Sequence, residues 1–176
     1  MRFEDISLGL TKSLTHTITQ TDLERFVELT GDDNKLHVDK DFAAKTSFRK
    51  PVVHGMLGAS FISTIIGTKL PGDGALWFAQ TLEFLLPVRI GDTLTVAAQV
   101  VKKNDRDRTL ELDVEILNQN RQTVTRGTSK VKMLDQEQPP TVDKHKVQEK
   151  TALVLGASGG IGFAVAEQLA ELGYNL

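Results

Sequence analysis

Hydrophobic and polar positions change period several times along the chain, and each change marks an element. Lys12 to Ile18 alternates, with Leu14, His16 and Ile18 on one face, which predicts a strand. In TDLERFVELTG, Leu23, Phe26, Val27 and Thr30 recur at helical spacing, so a helix is predicted over about residues 22–30. Thr21 and Glu24 have the spacing of a capping box, and Gly31 suits the left-handed position after a helix end. The next residues, DDNKLH, read as a loop, and Asp39 reads as the cap of a short helix carrying Phe42 and Ala43. From Gly55 to about Leu70 the segment has no evident polar face, which predicts a helix buried nearly all round, ended by Pro71-Gly72.

Beyond Pro71 the period falls to two. Leu76, Phe78, Leu82 and Phe84 predict one strand, and Leu94, Val96, Ala98 and Val100 a second. Leu110, Leu112, Val114 and Ile116 alternate strictly with acidic residues and predict a third strand with one wet face. Val124 to Met133 reads as the last. A buried helix followed by an antiparallel meander predicts a sheet wrapped round a helix. Residues 135–148 carry two prolines and few apolar positions and read as an exposed linker. Ala152–Leu155 then reads as a short strand before a glycine-rich turn, with a helical pattern from Phe163 to Leu172.

Composition narrows the function classes. The 176 residues have 40% hydrophobic content and a net charge of −2 from 21 basic and 23 acidic residues, with no basic block. Nothing here predicts nucleic acid or a membrane surface as partner. The absence of cysteine excludes disulfide and thiolate chemistry and fits a cytoplasmic setting. Neither a signal peptide nor a membrane span is predicted, and the four histidines lack metal-ligand spacing.

The segment FVELTGDDNKLHVDKDFAAKTSFRKPVVHGM holds two further patterns: Asp32-x4-His37, and Pro51-x-x-His54-Gly55-Met56 at the entry to the apolar helix. A carboxylate and an imidazole in a polar loop beside an apolar helix suit proton transfer near neutral pH. Unpaired amides at that helix's N-terminus suit a developing oxyanion, and Gly55 there, having no side chain, leaves room for close approach. Taken singly, Asp32 would be a turn cap, His37 a solvated or core histidine, His54 structural, and Ser63 a back-bonded helix serine.

Together with LEFLLPVRIGDTL, these motifs resemble the MaoC-like (R)-specific enoyl-CoA hydratase family over residues 10–134. Lys35 stands where that family commonly has proline. The resemblance implies an α+β hot-dog fold and (R)-specific hydration of trans-2-enoyl-thioesters, or the reverse dehydration. It implies Asp32 and His37 as the catalytic pair, and Gly55, Ser63 and Asn34 as oxyanion or substrate-binding positions. The carrier would be coenzyme A or acyl carrier protein. No metal and no other cofactor are implied, and a homodimer is expected. The alternatives are a hot-dog thioesterase and a non-catalytic acyl-thioester binding domain.

Gly156, Gly160 and Gly162 between a strand and a helix resemble the first unit of short-chain dehydrogenases, which bind NAD(P). The expected organisation is therefore a hydratase domain over 1–134, a linker over 135–148 and a reductase-like, Rossmann-type βα fragment over 149–176. The fragment as it stands is expected to bind no NAD(P), because the ribose-reading residue and the later pockets are missing. Its strand is expected to have no parallel neighbour.

Overall fold

A computed structural model describes residues 1–134, 150–152, 154 and 160–175. Contacts divide the chain into two compact units, Met1–Gln136 and Glu137–Leu176.

In the first unit a 3-10 turn, Phe3–Asp5, precedes strand β1, Thr11–Thr17. Three helices follow: α1 (Gln20–Thr30), α2 (Lys35–Val38) and α3 (Lys40–Ala44). Helix α4 spans Gly55–Thr68. The meander is β2 (Ala75–Phe84), β3 (Thr93–Asn104), β4 (Thr109–Leu117) and β5 (Thr123–Met133). These five strands form one antiparallel sheet in the order β1-β3-β4-β5-β2, wrapped around α4 as a hot-dog fold predicts. Alternation places Leu94, Val96, Ala98 and Val100 of β3 and Leu110, Leu112, Val114 and Ile116 of β4 on the inner face, all buried. They pack with Leu57, Ala59, Ile62, Ile65 and Ile66 of α4 in one core. Each of the valines, leucines and isoleucines among them contributes roughly 1.5–3 kcal/mol on burial.

Four local expectations need correction. The capping box of α1 is Thr19 with Asp22, not Thr21 with Glu24: Asp22 N–H donates to the Thr19 hydroxyl, and the Asp22 carboxylate accepts from Thr19 N–H. The DDNKLH stretch is not all loop, because Asn34 caps the single turn of α2. Helix α4 is not buried all round. Ser60, Ser63, Thr64, Gly67 and Thr68 are exposed, as is Met56, and together they form one bare face of small and hydroxyl side chains. In β2 a bulge between Trp77 and Ala79 shifts the alternation. Ala75 and Trp77 face the core before it, Leu82 after it, and Leu76 and Phe78 are turned outward.

The second unit contains β6 (Lys150–Thr151), α5 (Gly160–Glu171) and β7 (Tyr174–Asn175). β6 and β7 pair in parallel, Lys150 with Tyr174 and Thr151 with Asn175. The pairing falls just ahead of the expected strand Ala152–Leu155, whose first residue also donates its N–H to the Asn175 carbonyl at 2.8 Å, so a parallel neighbour is present at its start, while Leu153 and Leu155 lie outside the described residues. The linker 135–148 and most of the glycine-rich turn lie outside the described residues. None of the helices among the described residues is long and apolar enough to cross a membrane.

Candidate active site

The site is assembled by caps. Gly31 ends α1 in the left-handed conformation, with φ of 73°, and directs the chain outward into Asp32. Two residues on, the Asn34 side chain accepts from Leu36 N–H at 2.9 Å and starts α2. Lys35 occupies the first helical position, where proline's fixed φ is equally at home, so its replacement of proline leaves the turn intact. This one turn presents His37, whose Nδ1 lies 2.7 Å from the carbonyl of Val52. A carbonyl only accepts, so Nδ1 carries the proton, and Nε2 of the neutral ring holds the free lone pair.

The segment before α4 is fastened from the far side. The Arg89 guanidinium donates to the carbonyls of Phe48, Lys50 and Pro51, and Val53 N–H donates to Val88 at 2.8 Å. The Phe48–Val53 segment is thus held at both ends, and with it the Val52 carbonyl that fixes the His37 tautomer. His54 then stands at the N-cap of α4 without making a side-chain cap.

Helix α4 begins at Gly55, whose N–H has no acceptor among the described residues. Gly55 lines a cleft of about 390 Å³ together with His37, His54, Met56, Phe84 and Thr125, walled by Val88, Leu94, Ile116 and Val124. What approaches Gly55 in this structure is the ring of Phe84: a Cβ at Gly55 would lie 2.7 Å from Phe84 Cε1. Thr125 is 4% exposed and its hydroxyl has no partner among the described residues, which makes it a polar spot in an otherwise apolar wall.

Asp32, His37 and His54 meet, each bringing an oxygen or ring nitrogen within 4.8 Å of the others. The rings of His37 and His54 stack with centroids 3.7 Å apart. His54 Nε2 donates to the Asp32 carbonyl at 2.9 Å and lies 3.7 Å from its carboxylate. Burial pushes the His54 imidazole below its ordinary pKa. The hydrogen bond to the Asp32 carbonyl raises it in part, His37 lowers it further, and the Asp32 carboxylate opposes. A metal fits this trio poorly. Rings stacked face to face aim their in-plane lone pairs side by side rather than at one point, and His54 Nε2 is already committed as a donor.

The sequence-predicted residues divide into two groups. His37 and Gly55 line one cleft, and Asp32 meets His37 and His54 beside it without lining it. Asn34 serves the loop through its cap. Ser63 lies on the bare face of α4 and does not line the cleft, so the structure does not bring it to the others. Sequence reasoning missed Arg89, Phe84 and Thr125, and left His54 as structural. Only Thr125 carried a signal, as a hydroxyl among apolar inward positions. A larger cleft of 640 Å³ lies over outward-facing side chains of the sheet, where Glu83 pairs with Arg126, and contains no histidine. Lys103 and Arg108 lie over the Phe3 ring, away from this site.

Comparison with known proteins identifies the family. Residues 6–121 match the family model of the MaoC-like domain. An (R)-specific enoyl-CoA hydratase of Rhodospirillum rubrum is 48% identical over 98 residues, covering 56% of this chain and 68% of that protein. A 3-hydroxybutyryl-CoA dehydratase of Methylorubrum extorquens is 45% identical over 100 residues, covering 57% of this chain and 64% of its own length. Among solved structures, the (R)-hydratase from A. caviae involved in PHA biosynthesis superposes with a TM-score of 0.72 at 34% identity, over 74% of this chain and 99% of that one. With the fold, the Asp32–His37 loop and the Gly55 helix entry all in place, this chain belongs to the MaoC-like domain family.

Proposed function

We propose that the first unit is an (R)-specific hydratase of trans-2-enoyl-thioesters, producing (R)-3-hydroxyacyl-thioesters or dehydrating them in reverse. The observation that carries this reading is the His37 tautomer. The Val52 carbonyl holds the proton on Nδ1 and leaves Nε2 free to accept one, beside the Asp32 carboxylate and at the wall of a cleft that also holds the unpaired Gly55 amide. One water donates to His37 Nε2 and Asp32. Its oxygen bonds to the β-carbon as His37 takes its proton. The alkene electrons move to the α-carbon and on to the thioester oxygen, where the Gly55 N–H stabilises the charge. His37 then returns the proton to the α-carbon, and Asp32 stabilises the imidazolium meanwhile. The sum is addition of H and OH. No electrons are transferred, so no nicotinamide takes part in this step. The R configuration and the coenzyme A carrier follow the hydratase and dehydratase relatives.

The acting species is a homodimer in this reading. β2 is an edge strand bearing exposed Leu76 and Phe78, and the bare face of α4 exposes Met56 at 57%, surfaces that a second copy would cover. The parallel pairing of β6 and β7 around α5 supports reading the second unit as the start of a reductase-like domain. A reductase of 3-oxoacyl-thioesters would share the 3-hydroxyacyl-thioester with this hydratase.

Incubation with crotonyl-CoA tests the proposal. Loss of the enoyl-thioester absorbance with formation of (R)-3-hydroxybutyryl-CoA is expected. Release of free thiol without hydration would instead identify a thioesterase and refute the reading.

A further inference from the structure

We propose that His54 is a positioning residue of this site: its Nε2–H carries the main chain of Asp32, and its ring face carries the ring of His37. The inference rests on the hydratase reading above. His54 is 3% exposed, the most deeply buried of the three polar side chains that meet there. Its ring packs against the tilted ring of Phe26 of α1 at 4.9 Å and stacks on that of His37 of α2 at 3.7 Å. Its backbone begins α4. One imidazole therefore joins the ends of three helices.

Asp32 needs that hold. Its carboxylate is 51% exposed, and its other hydrogen bonds are long, 3.3 Å from its N–H to the Thr30 hydroxyl and 3.3 Å from Asn34 N–H to its carboxylate. The short bond from His54 to its carbonyl is the one that comes from a buried group. His37 is pinned at one edge by Val52, which leaves the ring free to turn about that bond unless a surface lies against its face. His54 is that surface.

The ring is also held in one protonation state. The Asp32 carbonyl requires the proton on Nε2, and Nδ1 is buried without a partner among the described residues. A second proton there would place a charge in an apolar setting with no acceptor. The titratable groups facing His54 are the Asp32 carboxylate at 3.7 Å and His37, while Phe26 is uncharged. A support that stays neutral leaves proton exchange to His37.

The test uses the full chain and two substitutions. His54→Phe keeps the plate and removes the donor, whereas His54→Gln keeps a donor and removes the plate. Each is expected to lower kcat on crotonyl-CoA by about 10–100-fold with little change in KM, the scale of a small misplacement of a reacting group. The loss from His54→Phe is expected to vanish in an Asp32→Asn background, because the carboxylate it positions is already gone. Wild-type kcat in either folded variant, or a loss that multiplies in full with Asp32→Asn, overturns the proposal. If His54→Phe unfolds, His54→Gln is compared in a His37→Ala background, where its loss is expected to vanish because the ring it backs is gone, and a loss that multiplies in full there overturns the proposal. Long-range ¹H–¹⁵N NMR gives a readout independent of activity. An Nε2–H tautomer whose titration lies below that of an ordinary imidazole is expected for His54, and a ring that titrates as an ordinary imidazole overturns the proposal even if crotonyl-CoA proves not to be a substrate. An inactive wild-type protein with the expected His54 signal refutes the hydratase reading and leaves the holding role supported.

Discussion

Replacing Gly55 by alanine separates the chemistry of the α4 entry from its packing. Gly55 does not adopt a positive φ, so its backbone accepts alanine without strain. The added Cβ lies 2.7 Å from one ring atom of Phe84 and 2.8 Å from another, against an ordinary contact of 3.4 Å, so the ring must retreat by about 0.7 Å. Phe84 is 51% exposed and can do so. Losing part of its burial costs about 1 kcal/mol, and removing a helix glycine returns about 0.4–1 kcal/mol. The two nearly cancel, so Tm should move by only a few degrees. Activity should not survive so well. The methyl group and the displaced ring enter the cleft where the thioester oxygen meets the Gly55 N–H. Losing one such donor costs about 10²–10³ in rate. Crotonyl-CoA hydration and calorimetric melting of the same preparation provide the assay. A folded Gly55→Ala protein with wild-type kcat/KM would refute the placement of the thioester at this amide.

Other outcomes follow from single contacts. Gly127→Ala should unfold the β2–β5 edge, because its Cβ would sit 1.8 Å from the Thr81 carbonyl oxygen. A loss above about 3 kcal/mol in urea melts is expected, and a near-neutral variant would contradict the register. Burial alone would raise the Asp22 carboxyl, but hydrogen bonds from His16 and Thr19 outweigh it and hold the group at about 2, below its ordinary 3.8. The stability this confers is complete above about pH 4 and is lost as pH falls through about 2. With the side chain 22% exposed, about 1–2 kcal/mol is expected, so Asp22→Asn should flatten that limb of an acid titration followed by circular dichroism. Arg89→Met should cost about 2 kcal/mol and lower kcat, since three carbonyls of the Phe48–Pro51 segment lose a charged donor.

Strict alternation made β3 and β4 legible, because both lie in mid-sheet with one face on the core and their register shifts fall after the alternating stretches, beyond Val100 and Ile116. β2 was legible as a strand but not in its facing, since a bulge is a choice made against the partner strand and leaves no mark in composition. The two threonine-acid spacings at the start of α1 were indistinguishable locally. His16 on β1, 2.9 Å from Asp22, favours the earlier one, and that is a tertiary contact. The bare face of α4 was hidden because glycine, serine and threonine are compatible with either burial or exposure. At the site, Asp32, His37 and Gly55 were readable as motifs. The stacking of His54 on His37 and the reach of Arg89 depend on how separate loops fold back, which no spacing records. Ala152–Leu155 was expected to be unpaired because a stretch as short as Tyr174–Asn175 leaves no period to read as a strand, yet these two residues pair in parallel with Lys150–Thr151 just before it.

The central claim is that Asp32 and His37 add water across an enoyl-thioester. Steady-state hydration of crotonyl-CoA by wild type, Asp32→Asn and His37→Ala, with melting curves for each, tests it most directly. The account predicts (R)-3-hydroxybutyryl-CoA from wild type and a fall of about 10²–10⁴-fold in kcat for each variant at nearly unchanged Tm. A folded Asp32→Asn or His37→Ala protein that turns over at close to the wild-type rate would contradict it.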